Sequence, residues 1–320
     1  MEVAIVGCGK RGGVYAAAAA RCGLIVAICA DASEQRARKL ARDHNAASTT
    51  RCKMALRSKA IEAVIVATPT PAHAEYVISA SQAGKHVLCE APFTRSAAQA
   101  REAVAEIRKA RVVCHIVQPS RFRPECRAIE AQLSAGKIGK VGYIRTYRAG
   151  PMPRGAGNWY RDYAQSGGVT LDGLVHDFDW ILRRFGKVKK VFCQNLEQGG
   201  FDFAMVTLTL ETGAIAQVIG SWAQAKGSAP ILKIELCGTG GMVQYDSDEV
   251  PVRVMRRSGD VAVEGSSSPM MKSVEDLELE EFITAMDGGG GAANAEEALG
   301  AVRIAEAALK SAETGRAVRP

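Results

Sequence analysis

The sequence predicts an α/β protein in two parts: a parallel sheet wrapped by helices, then an α+β domain on a large, mainly antiparallel open sheet. Three observations predict it. A β-branched run, Val3-Ala4-Ile5-Val6, leads into Gly7-Cys8-Gly9-Lys10-Arg11-Gly12 and an alanine-rich helical stretch. Short apolar runs then alternate with helix-period segments as far as Gln118, the rhythm of βαβ units. Beyond Gln118, long runs of apolar/polar alternation are joined by short turns such as Glu211-Thr212-Gly213, which reads as antiparallel sheet.

The elements follow in order. Strands are predicted at 2–6, 24–30, 63–67, 86–89 and 112–117, with helices near 11–22, 33–44, 71–83 and 96–110. Next come a helix at 124–135, a strand at 140–149, a Gly/Pro/Arg-rich loop at 150–158 and a helix near 173–184. Alternating strands are predicted at 188–197, 202–211, 214–222, 231–237, 242–246 and 250–256. Two helices close the chain, at 274–286 and 295–313, with Gly288–Gly291 as a surface loop between them. A chain of 320 residues is long for one core. The expected division is 1–118 and 119–320, closing helices included.

The glycine segment has a chemical purpose. Gly7 permits the tight strand-to-helix turn, Gly9 lets the backbone approach a pyrophosphate, and Gly12 lets helix and strand pack closely. The helix N-terminus offers free N–H groups to the phosphates. Asp31 follows Gly12 by 19 residues, at the end of the second apolar run, where a carboxylate accepts from the adenosine ribose hydroxyls. This is the Rossmann fingerprint in its confirming context. Lys10 and Arg11 are placed to flank the phosphates. Asp31 favours NAD over NADP because it repels a 2′-phosphate, while the nearby Arg36 keeps NADP as the alternative. In such sheets ligands bind beyond the carboxyl ends of the strands. That rule selects the loops Gly7–Gly12, Thr68-Pro69-Thr70-Pro71 and Glu90-Ala91-Pro92.

Bulk properties narrow the class. Apolar residues make up 47% and charged residues 23% of the chain, ordinary for a globular protein. No apolar run reaches membrane-spanning length, and the chain opens directly on strand 1 without a signal-peptide pattern. The nine cysteines are scattered with no C-x-x-C, which reads as reduced thiols and a cytoplasmic location. The net charge of +7 is dispersed, so neither nucleic acid nor membrane is an expected partner.

A second constellation lies in Ser166–Trp180. If Asp172–Trp180 is helical, Asp172 and His176 share one face. A carboxylate beside an imidazole raises its proton affinity or fixes its tautomer, and such a histidine can take a proton from a substrate hydroxyl. Asp179 is placed to orient the histidine or the helix. A helix-stabilising acid beside a satisfied core histidine explains the same spacing. No metal site is expected, because no second histidine is near.

With both constellations in hand, the chain resembles the glucose-fructose oxidoreductase / inositol dehydrogenase / MocA family. The resemblance runs through the glycine segment with Asp31, Ala67-Thr68-Pro69 followed by His73, and Gly84–Pro92. It continues through Arg121-Phe122-Arg123-Pro124, Gly136–Gly139, Ser166–Asp179 and Ser311–Arg316. It implies an NAD(P)-dependent oxidoreductase acting on a hydroxyl carbon of a sugar, inositol or sugar acid. His176 is then the general base and Asp172 its orienting or substrate-holding partner. Thr68, Pro69 and His73 would line the nicotinamide side of the groove, Glu90 would touch the nicotinamide ribose, and Gln118 and Arg121 would sit at the domain junction, Gln118 toward the cofactor and Arg121 toward the substrate. The resemblance also implies a homodimer or homotetramer through the C-terminal sheet.

One position departs from the family pattern. The family's E-K-P triplet reads Glu90-Ala91-Pro92 here, and the lysine normally hydrogen-bonds the reacting hydroxyl. Losing one such donor costs about 3–4 kcal/mol, or 100–1,000-fold in rate. Three explanations stay open: a deliberate replacement, altered chemistry with His176 or Tyr160 carrying more of the proton transfer, or a cofactor-binding protein without turnover. In the 150–165 loop, Trp159 and Tyr160 could stack on a sugar ring, and Arg148, Arg154 and Arg161 could bind hydroxyls or an anion. Packing within the loop is the alternative. Two rival functions remain: a redox-neutral lyase, epimerase or glycosidase that reduces its bound NAD transiently, and a non-catalytic NAD- or sugar-binding protein.

Overall fold

In a computed structural model of the chain, the apolar runs of the N-terminal part form parallel strands joined by helices. The structure describes all residues except 199, 249–251, 257–260, 265–271 and 289–294. The elements are β1 (Glu2–Val6), α1 (Lys10–Arg21), β2 (Ile25–Ala30), α2 (Glu34–Asp43), β3 (Ala47–Thr49), α3 (Cys52–Ala55), β4 (Ile61–Val66), α4 (His73–Gln82), β5 (His86–Cys89), α5 (Ala97–Ala110) and β6 (Cys114–Ile116). The strand order is β3-β2-β1-β4-β5-β6. Succession reverses between β1 and β4, which puts the ligand crevice at their carboxyl ends. Strands covered on both faces need continuous apolar runs; Val3–Val6 and Ala63–Val66 are accordingly fully buried.

The chain continues with α6 (Pro124–Ser134), β7 (Val141–Ala149), α7 (Tyr163–Ser166), a π-helical turn at Val169–Gly173, α8 (Val175–Phe185), β8 (Val188–Gln198), β9 (Phe201–Leu210), β10 (Ile215–Ser221), β11 (Ile231–Gly238), β12 (Gly241–Asp246), β13 (Val252–Arg256), β14 (Val261–Glu264), α9 (Val274–Met286) and α10 (Ala295–Thr314). The second sheet has the order β14-β13-β12-β11-β7-β10-β9-β8 and is antiparallel except at β7/β10. β9 alternates strictly, and β10 and β11 do so over most of their length. Ile144, Val206, Leu208, Ala216, Val218, Leu232 and Leu236 are buried on one face, while Phe192 and Ile215 are exposed on the other.

The chain divides into two compact units, residues 1–119 with 272–302 and residues 120–271 with 303–320. The linear division at 118 differs from this at the C-terminus. Leu279 and Phe282 of α9 join the core on the α1 face of the first sheet, and Ala295, Ala298 and Val302 of α10 join the core beneath α4 and α5. The chain therefore returns to its first unit before ending in its second. Details of the elements also differ from expectation. β3 and α3 have 3 and 4 residues, too short for periodicity to register. A π turn precedes α8 where a regular helix is expected. The expected loop at Gly288–Gly291 falls largely outside the described residues. Among the described residues no helix is long and apolar enough to cross a membrane.

Candidate functional site

In the first unit the glycine segment is built as its sequence requires. Gly7 has φ +97°, and a Cβ there would stand 2.5 Å from the Ala67 carbonyl oxygen, so only glycine turns the chain from β1 into α1 beside the end of β4. A Cβ on Gly12 would stand 1.9 Å from the Gly7 carbonyl oxygen. Around Gly9 no atom lies within 4 Å of a Cβ position, and no side chain caps α1. The start of α1 therefore has room beside Gly9 and no side-chain cap on its N–H groups. Lys10, its first residue, is exposed.

Asp31 lies at the end of β2 and is 6% exposed. Its carboxylate accepts the Cys8 N–H at 2.8 Å, the Ser33 N–H at 2.7 Å and the Arg36 guanidinium at 2.7 and 3.1 Å. Burial opposes the charge, but the bonds from Arg36, Ser33 and Cys8 outweigh it and hold the carboxyl below its usual range. Cys8 thus contributes its backbone. Its thiol stays protonated, raised by the Cys29 thiol and by burial.

Two expected groove residues are held by other groups of the protein. Arg11 is expected beside the phosphates, but its guanidinium bonds Glu90, Glu275 Oε1 at 2.9 Å and the Tyr15 hydroxyl at 3.2 Å; three acceptors draw it away from the open helix end. His73 is expected to line the groove, but it is 1% exposed. Its Nδ1 lies 2.8 Å from the Pro92 carbonyl and its Nε2 lies 2.7 Å from the Thr68 carbonyl. The ring braces the loop after β4 against the loop after β5. Burial lowers its proton affinity, against the pull of those carbonyls, and a neutral ring donates to only one of them. Thr68 and Glu90 are half-buried, Pro69 is exposed, and Gln118 is 1% exposed. Ala91 packs at the margin of the core beneath α4 and α5 and brings no donor.

In the second unit every residue from Ser166 to Ile181 is buried except Asp172 and His176. Asp172 lies in the π turn and His176 in the first turn of α8. The turn is closed by Leu174 N–H donating to the Val169 carbonyl at 3.0 Å; single π turns of this kind recur at functional sites. Its start is tethered by Asp202 of β9, whose Oδ2 accepts the Val169 N–H at 2.6 Å. Asp202 is 1% exposed and its Oδ1 has no hydrogen-bond partner. Burial pushes this carboxyl up to about 6, tempered by the Val169 N–H.

Three residues expected to meet substrate are occupied otherwise. Arg148 bonds Asp177 at 2.8 Å, and Arg121 bonds Asp179 at 2.9 and 3.2 Å. Asp177 and Asp179 are 3% and 1% exposed, and buried carboxylates require paired cations; both arginines therefore anchor α8. Trp159 is 9% exposed and stacks on Tyr160 at 4.0 Å, and Tyr160 meets Trp222 edge-on. Trp159 thus belongs to an aromatic cluster, while Arg154 remains exposed. Sequence reading misses Tyr15, Glu275, Glu278, Asp177 and Asp202. The acidic run Glu275–Glu281 on a helix with buried Leu279 and Phe282 was the available signal for the α9 residues.

The family model of oxidoreductases with an NAD-binding Rossmann fold matches residues 1–118, and that of the GFO/IDH/MocA C-terminal domain matches residues 126–244. The chain belongs to the GFO/IDH/MocA oxidoreductase family. It is 30% identical over 197 residues to the uncharacterized oxidoreductase YrbE of Bacillus subtilis, an alignment covering 58% of this chain and 56% of that protein. It is 29% identical over 276 residues to the myo-inositol 2-dehydrogenase of Thermotoga maritima, covering 81% and 80%. Its structure resembles that of GenD2 from gentamicin A biosynthesis in complex with NAD, with a TM-score of 0.87, 26% identity, and coverage of 100% and 96%. The GFO/IDH/MocA Rossmann domain binds NAD. The residues here fit that group: open space at Gly9, an uncapped helix end and an ionised Asp31.

Proposed function

We propose that this protein is an NAD-dependent dehydrogenase acting on a ring hydroxyl of a sugar, inositol or sugar acid, with His176 as general base. NAD, when bound, supplies the hydride acceptor. His176 takes the hydroxyl proton on an imidazole nitrogen, so the carbon can give up its hydrogen without forming a protonated carbonyl. Asp172 orients the imidazole or the substrate. The observation that carries this reading is the pattern of exposure in Ser166–Ile181, where Asp172 and His176 alone reach solvent in an otherwise buried stretch. The Thermotoga relative named as a myo-inositol dehydrogenase supports the substrate class. The free cysteines support a reducing, cytoplasmic setting, and Phe192 and Ile215 on the open face of the second sheet support pairing of copies there.

Position 91 sets the expected rate. With no donor from Ala91, His176 works without help on the developing alkoxide, and turnover should be slow. The test is NADH absorbance with a panel of sugars, inositols and uronic acids, on the protein, on Ala91→Lys and on Ala91→Lys/His176→Ala. The lysine variant should gain about 100-fold or more on one substrate, and removing His176 should abolish that gain. Equal rates with and without His176 would defeat its role as base. Co-purified NAD with no NADH release from any variant would favour redox-neutral sugar chemistry.

A further inference from the structure

A buried cluster behind the glycine segment has no part in this chemistry. Tyr15, one turn beyond Arg11 on α1, is fully enclosed, and its hydroxyl donates to Glu278 Oε2 at 2.7 Å. Glu278 of α9 is 0% exposed, and its Oε1 has no hydrogen-bond partner. Arg11 connects this carboxyl to the cofactor loops. It donates to the Tyr15 hydroxyl, to Glu275 of α9 and to Glu90 after β5. One guanidinium therefore serves three carboxyl groups, two directly and one through Tyr15.

We propose that Glu278 is a positioning residue of the dinucleotide site: uncharged, it leaves Arg11 committed to Glu90, and its ionisation weakens dinucleotide binding through Tyr15 and Arg11. This rests on the reading that the first unit binds NAD at Gly7–Gly12 and Glu90. Burial, with the nearby Glu90 and Glu275 carboxylates, pushes Glu278 up to about 8 against the pull of Tyr15 and Arg11. Tyr15 is held well above its usual range, chiefly by burial, and so keeps its proton. Arg11 stays charged. The other groups nearby on these elements are the Arg21–Asp276 ion pair between α1 and α9, Cys22 with its proton affinity raised by burial, and His115 of β6, whose ring faces Phe282 one turn along α9. Glu278 is the member of the cluster that changes charge just above neutral pH. Once ionised, it competes with Glu90 for Arg11 and adds an anion behind the helix end that receives the pyrophosphate. At low dielectric such a charge is weakly screened.

The test is NADH affinity by fluorescence between pH 6.5 and 9.5 for the protein, Glu278→Gln and Tyr15→Phe. The protein should lose about tenfold in affinity across this window, with a midpoint near 8. Glu278→Gln, neutral at every pH, should show a flat profile and match the unaltered protein at pH 6.5 within about twofold. Tyr15→Phe removes a bond that favours the carboxylate and cuts its link to Arg11, so its midpoint should move to higher pH and the loss should shrink. No NADH binding at pH 6.5 by the unaltered protein would overturn the dehydrogenase reading itself. Normal binding with Glu278→Gln following the same alkaline loss would overturn the role of Glu278 alone. If Glu278→Gln does not fold, an unmoved midpoint in Tyr15→Phe overturns it.

Discussion

We propose that Asp31 and Arg36 together decide which dinucleotide the first unit accepts. The carboxylate is positioned by two backbone N–H groups and by the guanidinium. It is ionised throughout the neutral range, so a 2′-phosphate meets a buried negative charge. Arg36 is half-exposed beside it and already neutralised by it. Replacing the acid removes the repulsion and frees the arginine for phosphate. We expect Asp31→Ser to raise the NADP/NAD ratio of kcat/KM by about 100-fold, and Arg36→Ala in that background to reverse most of the gain. Steady-state kinetics with both cofactors decide it, and an unchanged ratio would show that Asp31 does not face the ribose.

The segment that carries His176 is held by buried charge as much as by apolar packing. Arg148 reaches Asp177 from β7, and Arg121 reaches Asp179 from the turn before α6. Removing one partner strands a buried carboxylate, so Arg148→Met should cost about 3–5 kcal/mol in urea unfolding, while Arg148→Met/Asp177→Leu should recover most of it. A double variant as unstable as the single would deny that pairing is the cause. These partnerships also mark where sequence reading stops. The glycine segment, the parallel strands and the alternating strands were legible because each depends on neighbours in sequence: a turn, a run, a period of two. That Asp172 and His176 lie in neighbouring helical turns was legible for the same reason. Arg121 and Arg148 were expected at substrate because an arginine near a site has no local sign of its partner, here 58 and 29 residues away. Tyr15 and Glu278 are separated by 263 residues, and only the return of α9 to the first unit joins them.

At the scale of the whole molecule, Glu278 in the first unit and Asp202 in the second are buried carboxyls whose proton affinity is raised. Their folded values, about 8 and about 6, lie above the ordinary 4.5 and 3.8. A raised acid holds its proton in the folded state after the unfolded chain has released it, so it costs stability as pH rises from the ordinary value to the folded one. Below the ordinary value both states are protonated and the cost vanishes. At about 1.4 kcal/mol per unit, Glu278 costs on the order of 5 kcal/mol above pH 8, and Asp202 on the order of 3 kcal/mol above pH 6. Neutral isosteres should return these amounts, each in its own window. Glu278→Gln should raise the melting temperature at pH 8.5 by about 10 °C and leave it unchanged at pH 4. Asp202→Asn, whose amide oxygen can still accept the Val169 N–H, should reach its full gain by pH 6 and hold it from there. Calorimetric scans across pH 4–9 separate the two. A gain from Glu278→Gln that is equal at every pH would mean that the carboxyl does not titrate behind α1, and one that grows toward acid would reverse the sign argued here.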